Sequence, residues 1–234
     1  MKASKNHKNS AEDLLIEYKK QVIRDAEKLV LEEFPKKSEQ FSYDRLEEIV
    51  PKGHISIPLP DELQSQENNV CHFSFPLCTP VFEFVGGVVK CNEKLAVLTD
   101  IMRPLLRDAV ESVNRVKLWI LFLIPRIEDG NNFGVSIQED TLSEVRTVEG
   151  EAASFLDQLS RYFVNRARLV TKVAKYPHVE DYRRAILDMD EKQFTNIRLV
   201  LTEMRNHFAT LHDMITKNLE KIKTPRNNNA EHMY

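Results

Sequence analysis

The chain is poor in glycine, with six in 234 residues, and holds only three cysteines and one tryptophan. So little turn material argues against a β-rich fold, and the stretches rich in Leu, Glu, Lys, Arg and Ala point to helices instead. Cys71, Cys78 and Cys91 are odd in number and lack CxxC spacing, which fits reduced thiols better than a disulfide framework or a zinc site. No stretch nears the roughly 18 to 20 uninterrupted apolar residues of a membrane span, and the polar opening MKASKNHKNSAED has no apolar signal-peptide core. The expectation is a soluble intracellular protein with no membrane partner. An excess of one charge is also missing: 33 Lys and Arg stand against 36 Asp and Glu, a formal charge of -3, so nucleic acid is not an expected partner. What is present, 42% apolar and 29% charged residues, suffices for the core of one large or two small domains.

Apolar periodicity then outlines four helices. Ser10 and Asp13 resemble a helix start, and Leu15, Val22, Ala26, Leu29 and Phe34 recur at helical spacing, predicting a helix over 11–34 that stops at Pro35. From 36 to about 90, five prolines and Gly53, Gly86 and Gly87 interrupt every run, so this stretch reads as a long insert; FEFVGGVVKC within it has the pattern of a short hairpin. Asn92 opens a second stripe, Leu95 to Leu123, predicting a helix over 93–124 with Pro104 as a kink. PRIEDGNNFG, residues 125–134, is packed with turn formers and reads as a loop. Ser136 and Glu139 form a capping box for a third helix to about Lys175, and Tyr176, Pro177 and His178 separate it from a fourth, ending near Lys223. Helices this long, roughly 60 Å at about 1.5 Å per residue, must pack side by side, and a long antiparallel four-helix bundle is the economical all-α arrangement.

Catalytic signatures are scarce. A di-iron or di-manganese bundle needs Glu-x-x-His pairs, and none occurs. Glu203 and His207, four apart, read as a hydrogen-bonded pair on a helix surface. No nucleophile elbow, P-loop or dinucleotide fingerprint is found, and the adjacent Glu128 and Asp129 suggest turn formation or docking before acid–base work. The basic run Arg161, Arg166, Arg168, Lys172 and Lys175 reads as a solvated face paired with neighbouring acids.

PRIEDGNNFGVSIQE, residues 125–139, closely resembles the activation loop of the REG family of ATP-independent proteasome activators. The likeness runs from about Val116 to Tyr234 through EAASFLDQLSRYF, AKYPHVEDYRR and LHDMITKNLEKIKTPR, and is weaker but collinear over the first helix. RTVEGEAASFLDQLSRYF and KYPHVEDYRR are most similar to the gamma type, which forms homoheptamers. The resemblance implies a ring on the α-ring of the proteasome core particle, peptide or protein substrates in its channel, no catalytic residue, no metal and no cofactor. It further implies that Asn131 acts at the core particle's gate, with Arg126, Glu128, Asp129, Gly130 and Asn132 shaping that contact. By the same likeness the tail TPRNNNAEHMY binds between α subunits through Met233 and Tyr234, and Arg168 occupies a channel-lining place.

The expected organisation is a first helix within 1–35, an insert over 36–91, helices two to four within 92–223 with the activation loop at 125–134, and a binding tail over 224–234. The gamma type carries a basic nuclear-targeting cluster in its insert; residues 61–90 contain none, so the expected location is the nucleus, the cytoplasm or both. Two other readings compete, a helical adaptor that recruits clients without activation and a metal-dependent bundle enzyme, the latter disfavoured by the missing ligand pairs.

Overall fold

The computed structural model describes residues 2–42, 89–128, 130 and 132–226, with only the helical backbone of 2–11. Asp129, Asn131, Met233 and Tyr234 lie outside the described residues, as do Cys71, Cys78, most of the insert and most of the FEFVGGVVKC segment. The described elements are α1 (Lys2–Lys28), a π-helical turn (Leu29–Glu33), α2 (Phe34–Gln40), α3 (Glu93–Leu123), α4 (Phe133–Lys175), α5 (Glu180–Lys217) and α6 (Leu219–Lys223). The all-α class is borne out, and no strand occurs among the described residues. None of their helices is long and apolar enough to cross a membrane.

Pro35 does not end the first helix. The amide of Phe34 donates to the carbonyl of Leu29, one residue further back than in an α-helix, which makes the π-helical turn. Pro35 then falls in the first turn of α2, where a proline ring is tolerated best. Helical structure therefore extends to Gln40, into the stretch expected to be insert. Phe34 and Phe41 both pack on Phe208, with ring centroids 5.1 Å and 6.1 Å away. That aromatic contact rewards continuing past the proline.

The chain divides into two compact units. The first comprises Met1–Arg45, Leu106–Ala153 and Thr202–Tyr234; the second, Leu46–Leu105 and Ser154–Leu201. In the first unit the pairings fix an up-down-up-down order. Tyr18 meets Phe122 while Lys37 pairs with Asp108, so α1–α2 runs antiparallel to α3. Lys117 meets Glu149 while Gln138 reaches Leu123, reversing α4 against α3. Gln138 also reaches Ile222 and Glu151 meets His207, reversing α5–α6 against α4. Trp119, Phe34, Phe208, Met204, Leu211, Ile215 and Ile120 fill this bundle. Burial of such side chains is worth about 1.5–3 kcal/mol each before entropy is counted.

The second unit packs the start of α3, the end of α4 and the start of α5 around Leu95, Leu98, Met102, Leu159, Val173, Ile186 and Ile197. At its centre Asp190 is fully buried and accepts hydrogen bonds from Tyr162 Oη at 2.7 Å, Arg166 Nε at 3.0 Å and Asn92 Nδ2 at 3.1 Å. Asn92 also caps α3 by accepting from the Leu95 amide at 3.3 Å. Burial, then the hydrogen bond to Asp190, pushes the Tyr162 hydroxyl well above its ordinary pKa, so it serves as a donor. The basic run of α4 is accordingly not one solvated face: Arg166 is buried in this node, whereas Arg161 pairs with Asp157 on the surface at 2.5 Å and Arg168 is exposed.

Other boundaries move as well. α4 begins at Phe133, not at a Ser136 cap, because Asn132 takes the cap position and its carbonyl accepts from the Ser136 amide at 2.9 Å. The fourth helix breaks at Asn218, whose Nδ2 donates to the Met214 carbonyl at 2.9 Å and competes with the backbone ladder. Pro104 lies within α3 on an exposed position, so the carbonyl it leaves unpaired can meet water. Glu203 and His207 do not make the expected surface hydrogen bond: their closest approach is 3.6 Å, and His207 turns towards Glu151 instead.

Candidate functional site

The loop between α3 and α4 leaves one end of the first unit. Ile124 closes α3 by donating to the Ile120 carbonyl at 3.1 Å, and Pro125 forbids another turn. Arg126, Ile127 and Glu128 follow, all exposed. Gly130 has φ +116°, a backbone conformation open to glycine and strained for any other residue, although a Cβ there would meet nothing within 4 Å. The glycine is thus required by the turn and not by crowding.

The same end holds the root of the C-terminal tail. After α6, Arg226 Nη1 donates to Glu128 Oε2 at 2.9 Å and its Nη2 donates to Asn132 Oδ1 at 3.1 Å. Asn132 Nδ2 in turn donates to the Glu128 carbonyl at 3.2 Å. One guanidinium therefore spans both sides of the loop base, using its planar fork to fix geometry. Beneath it Gly134 abuts the tail backbone: a Cβ there would stand 2.1 Å from the Pro225 carbonyl oxygen and 2.6 Å from its Cα. Only glycine admits that approach without displacing the tail root.

Gln138 ties the base together. Fully buried, it donates to the last carbonyl of α3, Leu123, at 3.1 Å and to the Ile222 carbonyl of α6 at 2.7 Å. Those carbonyls sit at helix C-termini, where no intrahelical donor remains for them. Lys221 lies over the exposed Phe133 ring at 5.8 Å, and Lys223 pairs with Glu27.

Of the site residues expected from sequence, Arg126, Glu128, Gly130 and Asn132 lie on this loop, and Glu128 and Asn132 converge on Arg226. Arg168 lies elsewhere, exposed on α4 in the second unit. Sequence reasoning missed Arg226, Gly134 and Gln138. Gly134 carried a usable signal, being one of six glycines in the chain and close to a helix start. Arg226 carried none, because its partners are 94 and 98 residues away.

The family description "Proteasome activator PA28, C-terminal" matches residues 88–232. The chain belongs to this family. The membership expected from the loop motif is thereby borne out. Proteasome activator complex subunit 3 of Homo sapiens is 44% identical over 238 residues, covering 93% of this chain and 93% of its own. The Gallus gallus protein of the same name is 57% identical over 156 residues, 67% of this chain and 61% of its own. Among solved structures, the 11S subunit of the Plasmodium falciparum proteasome, PA28, is similar with a TM-score of 0.73 at 28% identity, covering 93% of this chain and 95% of that one. PA26 from Trypanosome brucei, solved in complex with the yeast 20S proteasome, has a TM-score of 0.57 at 13% identity over 92% of this chain and 89% of its own, a likeness of fold alone. In this PA28-family chain the loop and the tail root thus emerge side by side from one four-helix end, bridged by Arg226.

Proposed function

We propose that this chain is a non-catalytic, ATP-independent activator subunit. It forms a homoheptameric ring, docks on the α-ring of the proteasome core particle through its C-terminal tail and opens the gate with the loop at 125–134. The observation that carries this reading is the junction of loop base and tail root through Arg226, Glu128 and Asn132. A docking tail and a gate-contacting loop must be presented to one surface in fixed register, and that junction is suited to set the register. PA26, a relative in fold, has been solved bound to a 20S proteasome, which supports the same partner here.

A ring displays copies of a weakly binding tail together, so each insertion after the first occurs at a high effective concentration. Binding alone opens nothing: the gate shifts only by the difference in affinity between its open and closed forms, and the loop supplies that difference. Asn131 is assigned that contact, and Met233 and Tyr234 the docking. Arg168 lines the channel and biases which peptides are cleaved. The compartment we assign is intracellular, nuclear or cytoplasmic, where its partner resides.

The test is hydrolysis of fluorogenic peptides by latent core proteasome with added wild type, Asn131→Tyr, Arg168→Glu and a deletion of 227–234. Stimulation by wild type is expected, with binding but no stimulation by Asn131→Tyr, no binding by the deletion and altered peptide preference for Arg168→Glu. A wild-type protein that neither binds nor stimulates would leave an adaptor role in its place.

A further inference from the structure

In the first unit, away from the loop, Glu151 of α4 and Glu203 and His207 of α5 bring three potential ligand atoms within 4.8 Å of one another. His207 Nε2 lies 2.7 Å from Glu151 Oε2 and 3.6 Å from Glu203 Oε1. The imidazole is only 12% exposed, whereas the two carboxylates are 45% and 49% exposed, so the group opens to solvent on its acidic side.

The short contact between His207 and Glu151 is nonetheless not a hydrogen bond. Nε2 is shut off from water and has no acceptor in line with it. A hydrogen bond wants its acceptor on the N–H axis. A tetrahedral metal centre wants the reverse, with the metal on that axis about 2.0–2.1 Å from nitrogen and the other ligands spread around it. Glu151 Oε2 stands in that off-axis position, Glu203 Oε1 lies beyond hydrogen-bonding distance, and both separations are near those of neighbouring ligands around one ion. Glu203 and His207 are four apart on one helix and so share a face, and Glu151 closes the third corner from the facing helix.

We propose that Glu151, Glu203 and His207 form a mononuclear site for a divalent first-row transition-metal ion, zinc in the first instance. One imidazole and two carboxylates make a donor set suited to such ions, and three protein ligands leave a fourth position for water. This is not the paired Glu-x-x-His set of a di-metal bundle enzyme, and it carries no catalytic claim. The ion clamps α4, which begins at the loop, to α5, which leads to the tail. A ligand that binds the folded state alone stabilises it, so zinc acts as a brace on the unit that presents both functional segments.

The test uses the full, untagged chain after chelator treatment. Equilibrium dialysis against zinc, and cobalt as a coloured stand-in, are expected to show a single tight site per chain with visible absorption of a nitrogen–oxygen cobalt centre, and zinc is expected to raise Tm. His207→Gln and Glu203→Gln, both of which keep side-chain volume, are expected to weaken binding at least roughly 10- to 100-fold and to abolish the Tm shift. His212→Gln, on the same helix but outside the group, is expected to bind like wild type. Equal zinc affinity in wild type and both site variants, or no tight site in wild type, would overturn the proposal.

Discussion

Arginine anchors a polar junction in each unit, and the two junctions differ in what they do. Arg166 meets Asp190 where both are buried, with Tyr162 and Asn92 filling the remaining acceptor positions. Arg226 meets Glu128 and Asn132 at an exposed loop base. A buried charge has surrendered its water, so every partner counts and loss of one leaves the other stranded. An exposed charge can be rehydrated when its partner leaves, so its bond contributes little to folding. The first junction specifies how three helices meet; the second ties the loop base to the tail root, and in the activator proposed above it would set the register of the two segments. Burial, and not the kind of bond, decides whether a charge pair serves stability or positioning.

The largest effect is expected where that rule is broken in the core. Asp190→Ala strands Arg166 and removes the acceptor of Tyr162, and should cost about 3–5 kcal/mol in urea or thermal unfolding. The control is Asp188→Ala on the same helix, which loses only a surface pair with Arg184 and should cost less than about 1 kcal/mol. Equal losses in the two variants would show that burial does not separate the junctions.

An intermediate case sharpens the contrast. Glu149 is partly buried and accepts from Asn114 at 2.7 Å and from Lys117 at 2.5 Å. Burial pushes its carboxyl up, but the hydrogen bonds from Asn114 and Lys117, with the Lys117 charge, outweigh it and hold the group below its ordinary value of 4.5. A carboxylate depressed in the folded state contributes stability above the unfolded value and loses it as pH falls through the folded value. Wild type should therefore lose more stability than Glu149→Gln as the pH falls below about 4.5. Parallel acid-unfolding curves for the two would refute it.

The pattern of these contacts also explains what could be read without a structure. The long helices were legible because their stripes repeat over many turns: α3 runs from Glu93 to Leu123, close to the span between Asn92 and Pro125 that the stripe outlined. The family was legible in PRIEDGNNFGVSIQE. Local rules failed where distant contacts overrode them. Pro35 signals a stop, but a one-residue π-helical adjustment and the packing of Phe34 and Phe41 on Phe208 carry the helix onward. Ser136 and Glu139 satisfy a capping box, yet Asn132, held by Arg226, takes the cap one turn earlier. Glu203 and His207 have the spacing of a surface pair, and only the fold brings Glu151 to the imidazole.

The smallest effect on stability, and the most informative on function, is expected at Arg226. Its pairs are solvent-facing on the Glu128 side, so Arg226→Ala should change unfolding free energy by less than about 1 kcal/mol. Register is a different matter. With the guanidinium gone, the loop base and tail root are no longer tied, and each segment must find its site on the partner independently. Tail-mediated binding to core proteasome should survive, because Met233 and Tyr234, the residues proposed to dock, are untouched, while peptide stimulation at saturating activator should fall several-fold. Gly134→Ala supplies the matching displacement from the other side, since its Cβ would collide with the Pro225 backbone without removing any charge. If both variants bind and both stimulate like wild type, the junction is merely a surface pair; if both bind and stimulate poorly, the half-buried arginine transmits register while adding little to the fold.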